Sequence, residues 1–163
     1  MPYVQATVDI EASPEQVWSY LTKIERWPDW AFKRGPFLYP VLATVDSGVE
    51  DDLVAKVQWC DESTSHLFCR EWISPRFLRF EARFDFAPVQ GRQWIQYEIH
   101  PLAQDDSWTW LGLDVEWEIK APLPHRAGLT LCGLKKRYLA QTQGVLDSLR
   151  DLMESEIVKI KED

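Results

Sequence analysis

Residues 3–21 read Tyr3-Val4-Gln5-Ala6-Thr7-Val8-Asp9-Ile10-Glu11-Ala12-Ser13-Pro14-Glu15-Gln16-Val17-Trp18-Ser19-Tyr20-Leu21. The first eight alternate. Val4, Ala6, Val8 and Ile10 fall on one face and Gln5, Thr7 and Asp9 on the other, the pattern of a half-buried strand. Ser13-Pro14-Glu15-Gln16 then opens a helix. Ser13 is placed to accept from the free amides of the first turn, and Pro14 is pre-set for the first helical position. Gln16, three residues after the cap, completes a capping box. Val17, Trp18, Tyr20 and Leu21 supply the apolar face of this short helix.

Working outward, a second short helix is expected over about Ile24 to Trp30, carrying Trp27 and Trp30 and interrupted by Pro28. From about Leu38 to Lys120 the pattern has period two. It is broken by turn chemistry at Asp46-Ser47-Gly48, Asp61-Glu62-Ser63, Ser74-Pro75, Pro88 to Gly91 and Gln104-Asp105-Asp106, which gives five or six antiparallel strands in a meander. Leu78, Phe80, Ala82, Phe84 and Phe86 share one face of their strand. Leu111, Leu113, Val115, Trp117 and Ile119 do the same on another, opposite Asp114, Glu116 and Glu118. Such a face is built to be covered. The cover is a long helix over about Leu129 to Ile160, after the Pro- and Gly-containing loop Ala121 to Gly128. In it Leu131, Leu134, Tyr138, Val145, Leu149 and Leu152 recur at steps of three and four or their sums. A helix of about 30 residues is about 45 Å long, enough to cross a whole sheet.

The chain has 163 residues, 45% hydrophobic, 27% charged and 13% aromatic, with a net charge of −8. That length and composition fit one globular domain over residues 1–163. The acidic balance argues against nucleic acid, whose phosphates need a cationic face, and against a basic patch on anionic lipid. No apolar run approaches the roughly 20 residues that span a bilayer. The opening Met1-Pro2-Tyr3-Val4-Gln5 lacks the basic and apolar regions of a signal peptide, so the cytoplasm is the expected setting. Cys60, Cys69 and Cys132 are an odd set for a disulfide scaffold. Cys60, His66 and Cys69 are close in sequence but lack a C-x-x-C pair or an evident fourth ligand, so no metal is expected. There is no phosphate-binding glycine loop, G-x-S-x-G elbow or dinucleotide fingerprint, and no cofactor is expected.

The order strand, two short helices, meander, long helix is specific, and residues sharpen it. Ala6 to Leu21, followed by Glu25-Arg26-Trp27-Pro28-Asp29-Trp30, resembles the opening signature of the START-like (SRPBCC) superfamily, particularly its polyketide cyclase/dehydrase branch. Glu71-Trp72-Ile73-Ser74-Pro75-Arg76-Phe77-Leu78-Arg79-Phe80 resembles that family's strand–Pro–Arg–strand element. The resemblance implies an α+β helix-grip fold, in which a curved antiparallel sheet of six to seven strands wraps the long C-terminal helix around a cavity. Members bind lipids, sterols, polyketides, hormones and aromatic molecules there. The fold by itself does not choose among these.

Nine tryptophans are the most informative part of the composition, because apolar ligand pockets are lined by such side chains. Trp27 and Trp30 are expected at the pocket mouth. Trp59, Phe80, Phe84, Tyr97, Leu113 and Trp117 on strands, with Thr142 on the helix, are expected to contact the ligand. Trp94, Trp108 and Trp110 alternate with polar residues. They form an outer apolar patch, a docking site for a partner or second copy, or else line the cavity if the strand phase is shifted. Glu71 shares strand parity with Leu67, Cys69 and Ile73. It is either a desolvated carboxylate suited to proton transfer or an outward partner of Arg79 or Arg83. Arg70 falls on the opposite face and would hold an oxyanion if it were the inward one. Tyr138, Gln141 and Thr142 place polar groups on or beside an otherwise leucine- and valine-rich helical stripe, where they either hydrogen-bond a ligand or complete the core. His66, His100 and His125 read as surface or loop residues, and Lys135-Lys136-Arg137 as a solvated face.

The leading expectation is therefore a protein that binds a bulky hydrophobic or aromatic small molecule. In that reading it acts as a polyketide cyclase/dehydrase-like enzyme that enforces substrate shape, with Glu71, Arg70 or Tyr138 assisting proton transfer. The alternatives are a non-catalytic carrier of a lipid or aromatic metabolite and an interaction module, including a homodimer, docking through the outer tryptophans.

Overall fold

The computed structural model describes residues 3–31, 40–59, 62–86, 89–102, 107–120 and 134–162. Seven strands form one antiparallel sheet: β1 (Tyr3–Ile10), β2 (Pro40–Ser47), β3 (Val54–Trp59), β4 (Thr64–Ile73), β5 (Phe77–Phe86), β6 (Val89–Pro101) and β7 (Thr109–Lys120). Strands β2 to β7 follow one another as a meander, and β1 closes on the far edge of β7, giving the order β1-β7-β6-β5-β4-β3-β2. Two short helices follow β1, namely α1 (Pro14–Thr22) and α2 (Trp27–Trp30), and the long α3 (Leu134–Glu162) ends the fold. This is an α+β helix-grip architecture. Among the described residues no helix is long and apolar enough to cross a membrane.

The local signals at the N-terminus act as read. Burial along β1 alternates strictly, with Val4, Ala6, Val8 and Ile10 inside. Ser13 Oγ accepts from the Gln16 amide at 3.2 Å, and Gln16 Oε1 accepts from the Ser13 amide at 2.9 Å. Pro28 does not interrupt a helix. It stands in the first turn of α2 behind a 3-10 turn over Ile24–Arg26, where its missing N–H is not needed. The start of the long helix expected from Leu129, with Leu131 and the loop 121–128, lies outside the described residues.

One irregularity reorganises β4. Cys69 pairs with Phe80 and Glu71 with Arg79, so Arg70 is an extra residue opposite no partner, a β-bulge. The bulge inverts the parity of the strand beyond it. Trp72 now turns inward against Trp18, edge to face at 5.2 Å, while Ile73 is half exposed.

The helix α3 lies along β1 and reaches β7 and α2. Val145, Leu146, Leu149 and Met153 are buried beneath it at three- and four-residue steps. Its last turns are tied to the α1–α2 corner. Arg26 donates to Glu156 at 2.8 Å and to Asp29 at 3.3 Å, Tyr20 donates to the same Glu156 carboxylate, and the Arg26 guanidinium lies over the Tyr20 ring at 5.0 Å. The Arg26 hydrogen bond, helped by that from Tyr20, holds the Glu156 carboxyl below its ordinary value of 4.5.

A carboxyl with a depressed folded pKa stabilises the protein above its unfolded pKa and stops doing so as pH falls through the folded one. Thermal melts of wild type and Glu156→Gln should therefore differ by about 1 kcal/mol at pH 7, the scale of a partly exposed ion pair. The curves should converge as pH falls below about 4.5. A constant difference down to pH 3 would show that the tether does not act through charge.

Candidate functional site

The inner face of the sheet and the first half of α3 enclose a small cavity of about 20 Å³. Trp27, Ile95, Leu113, Val115 and Val145 supply its apolar walls; Gln93, Tyr97, Tyr138, Gln141 and Thr142 supply hydroxyl and amide groups. Strand alternation puts Gln93, Ile95 and Tyr97 of β6 on the same face as Leu113, Val115 and Trp117 of β7, with Gln93 opposite Trp117 and Tyr97 opposite Leu113. On α3, Tyr138, Gln141, Thr142 and Val145 recur at the helical period and share one stripe.

The fittings differ between these groups. Trp27 Nε1 donates to the Leu21 carbonyl at 2.9 Å, which fixes the indole as a wall, and its ring meets Phe80 edge-on at 5.3 Å. Trp117 and Tyr138 stack at 4.5 Å with rings inclined by 27°, and Tyr138 lines the cavity. Thr142 Oγ1 donates to the Tyr138 carbonyl at 2.7 Å. Burial pushes the phenols of Tyr97 and Tyr138 above the ordinary value of 10, so both are neutral hydrogen-bonding groups at any physiological pH. Gln141 is 6% exposed, and its Oε1 has no hydrogen-bond partner. No carboxylate, imidazole, ammonium or guanidinium is among the described lining residues.

Of the expected ligand contacts, Trp27, Tyr97, Leu113 and Thr142 line this cavity, as does Tyr138, with Trp117 at its edge and Phe80 behind Trp27. Trp30 is not at a mouth; it is wholly buried behind Trp27, 6.0 Å away. Trp59 lies on β3, with its Nε1 donating to Ser65 Oγ at 3.0 Å, and Phe84 is half-buried near Gly91; neither lines the cavity. Glu71 is exposed and opposite Arg79 on the outer face, because the bulge at Arg70 breaks the parity that had placed it beside Cys69. Arg70 is outward too. It donates to Glu81 Oε2 from Nε and Nη2 at 2.9 and 2.7 Å, Arg83 binds the other oxygen at 2.7 Å, and these bonds, that of Arg83 foremost, hold Glu81 below the usual carboxylate value.

The remaining chemistry-bearing residues stand apart from the cavity. Cys69 faces inward, its thiol pushed up to about 11 by burial, whereas His66 is on the outward face of the same strand, so the two do not converge on a metal. Cys60, Cys132 and His125 lie outside the described residues. His100 is exposed, 5.3 Å from the Trp110 ring. Trp94 and Trp110 occupy the outer face. Trp94 is opposite Glu116 and Trp110 opposite His100, six residues apart along β6, roughly 20 Å. Arg92 covers Trp94, and the Trp110 ring fills the space above Gly112, where a Cβ would be 2.6 Å from it. The three tryptophans do not make one continuous patch. Gln141, read from the polar break of the helical stripe as either a ligand contact or a core group, lines the cavity, and Gln93, Ile95, Val115 and Val145 are lining residues beyond the expected contacts.

No protein-family model matches the sequence, and no curated protein matches it. Solved structures do. The chain superposes on the Zhui aromatase/cyclase from Streptomyces sp. R1128 with a TM-score of 0.70 at 15% identity, covering 95% of this chain and 94% of that one. A protein from Thermus thermophilus gives 0.69 at 17% identity over 95% and 99% of the two chains. A START superfamily protein from Mycobacterium smegmatis gives 0.50 at 20% identity over 86% and 97%. The fold is START-like. Within that START-like fold the sheet–helix cavity is the internal space, and its described wall is uncharged.

Glu71→Gln should leave melting temperature within about 1 °C of wild type, as expected of an exposed surface change, and should not alter uptake of an aromatic probe. A loss of uptake would show that the carboxylate reaches the cavity.

Proposed function

We propose that the protein binds a neutral, bulky aromatic small molecule between the sheet and α3. The observation that carries this is the character of the inner wall: aromatic rings with amides and hydroxyls at positions where packing alone calls for leucine. A charged ligand would lose its hydration there and meet no countercharge among the described lining residues. A neutral aromatic with one or two hydroxyl groups exchanges water for ring contacts and amide hydrogen bonds.

At about 20 Å³ the cavity is closed around at most a water-sized volume. Pockets for molecules of this class are about 300–1,000 Å³. Binding therefore parts the sheet–helix contact beside the cavity, where Tyr138 stacks on Trp117. The proposed occupant is carried or presented rather than turned over by an ionised acid–base pair, since Glu71 and Arg70 face outward.

The likeness to an aromatase/cyclase supports a second reading, in which the cavity folds a polyketide chain and closes its ring. Such catalysis would rest on holding reacting carbons together, which can supply several kcal/mol of a barrier, with Tyr138 or Tyr97 as the hydrogen-bonding phenol. The two readings separate on whether the bound molecule is changed.

Native mass spectrometry of the purified protein, with analysis of the organic extract it releases or takes up from a set of bicyclic and tricyclic aromatics, should give one neutral aromatic per chain. Leu113→Phe and Val145→Phe, which fill the cavity, should each weaken uptake at least tenfold. Uptake indifferent to both would place the ligand elsewhere. Conversion of a poly-β-ketone to a cyclised product would favour the cyclase, recovery unchanged the carrier.

A further inference from the structure

Three buried polar atoms among the described residues have no partner: Trp30 Nε1, Ser148 Oγ and Gln141 Oε1. They are not equivalent. Trp30 and Ser148 are not among the lining residues, whereas Gln141 lines the cavity. An amide carbonyl withdrawn from water and left unmatched is unfavourable, and its side chain has apolar neighbours of similar size on the same stripe, Val145 and Leu149, that would avoid the loss. Gln141 is 6% exposed, so solvent does not serve it.

We infer that Gln141 is the hydrogen-bond acceptor that selects a hydroxyl-bearing ring over its unsubstituted counterpart. This deepens the binding reading above and rests on it. The surrounding groups support the assignment. Thr142 Oγ1 has already given its hydrogen to the Tyr138 carbonyl, so it does not compete as a donor for Gln141. Trp27, whose indole N–H is committed to Leu21, offers only ring surface. The wall thus presents aromatic contacts, the Tyr97 and Tyr138 hydroxyls and the Gln93 amide, with an unmatched acceptor from the helix side. The matching ligand is an aromatic whose phenol or enol O–H projects toward α3. The selection is the kind a built hydrogen-bonding site imposes: a ligand lacking the hydroxyl leaves the carbonyl buried and unmatched, and is disfavoured by more than its own lost contact.

The assignment has a consequence in the unliganded protein. A carbonyl kept free for a ligand weakens the fold, so its removal strengthens it. A carbonyl with a standing structural role, including one that holds a buried water, has the opposite effect on removal. Gln141→Leu is near in volume and tests the sign directly; Gln141→Met is the second variant should leucine not pack.

The experiment is calorimetric titration of wild type, Gln141→Leu and Gln141→Met with 2-naphthol and with naphthalene, beside thermal melts without ligand. Wild type should prefer 2-naphthol by about tenfold, equivalent to about 1.4 kcal/mol. Both variants should bring the ratio below about twofold while keeping naphthalene affinity. Their melting temperatures should rise by about 2–4 °C, the shift expected when an unmatched buried group is removed from a domain of this size. A preference for 2-naphthol that survives both substitutions, or a fall in melting temperature in both, overturns the role of Gln141 and leaves the binding reading standing. Failure of wild type to bind either probe overturns both.

Discussion

The strands turn every second side chain inward, and seven strands of such side chains require a partner other than water. One helix supplies most of it. The contact between α3 and the concave sheet is therefore the interaction on which the remaining features depend: it buries Val145, Leu146, Leu149 and Met153 against the inner face and draws the α1–α2 corner to Glu156 through Arg26 and Tyr20. Burial of side chains of this size contributes about 1.5–3 kcal/mol each. The polar tether adds less but fixes where the helix sits along its length.

The grip is uneven. From Val145 onward α3 buries four apolar side chains, Val145, Leu146, Leu149 and Met153, and beyond them carries the Arg26–Glu156 tether. In its first turns Lys136, Arg137, Leu139 and Ala140 are exposed, and Tyr138 is the half-buried contact, stacked on Trp117. An aromatic stack is worth about 0.5–1.5 kcal/mol beyond area burial, far less than the packing at the other end. Cavity and weak grip coincide, so enlarging the space for a ligand disturbs the least stabilised part of the interface. Low local stability beside a binding site is the general pattern for elements that must move.

How far this could be read from sequence depends on whether the determinant was local. The β1–α1 entry was legible to the individual hydrogen bond, because a capping box is decided within four residues. The long helix and the inward faces of β5 and β7 were legible because apolar periodicity records burial directly. For Glu71 strand parity left two readings open, and the structure takes the outward one opposite Arg79; a bulge is one extra residue in a ladder, and neither Cys69-Arg70-Glu71 nor its neighbours carries a Gly or Pro to announce it. Everything beyond Arg70 then changes face, so the parity that holds for Leu67 and Cys69 does not extend to Glu71. Trp30 failed differently. Its burial depends on what Trp27 and the sheet leave uncovered, a tertiary fact with no periodic trace. Of the two readings open for Trp94 and Trp110, the structure takes the outer face, but whether they form one patch depended on strand register, which alternation cannot supply.

The partition of charge bears on chemistry. The ionised pairs described near the meander, Arg70 and Arg83 with Glu81 and Arg92 with Glu118, stand on the outer face, where each has its countercharge; the Glu81 carboxylate is buried beneath its two arginines. The inner wall holds amides and phenols, the latter kept neutral by burial. A buried, uncharged cavity makes neutral hydrogen bonds more decisive than they are in bulk water, because the local dielectric is low and an unmade bond is costly. In such a wall selectivity arises from where single acceptors are left open, not from net charge. In the proposed reading, the buried Gln141 carbonyl stands on the helix face that a ligand would meet, so that one hydrogen bond would match it where no other partner does.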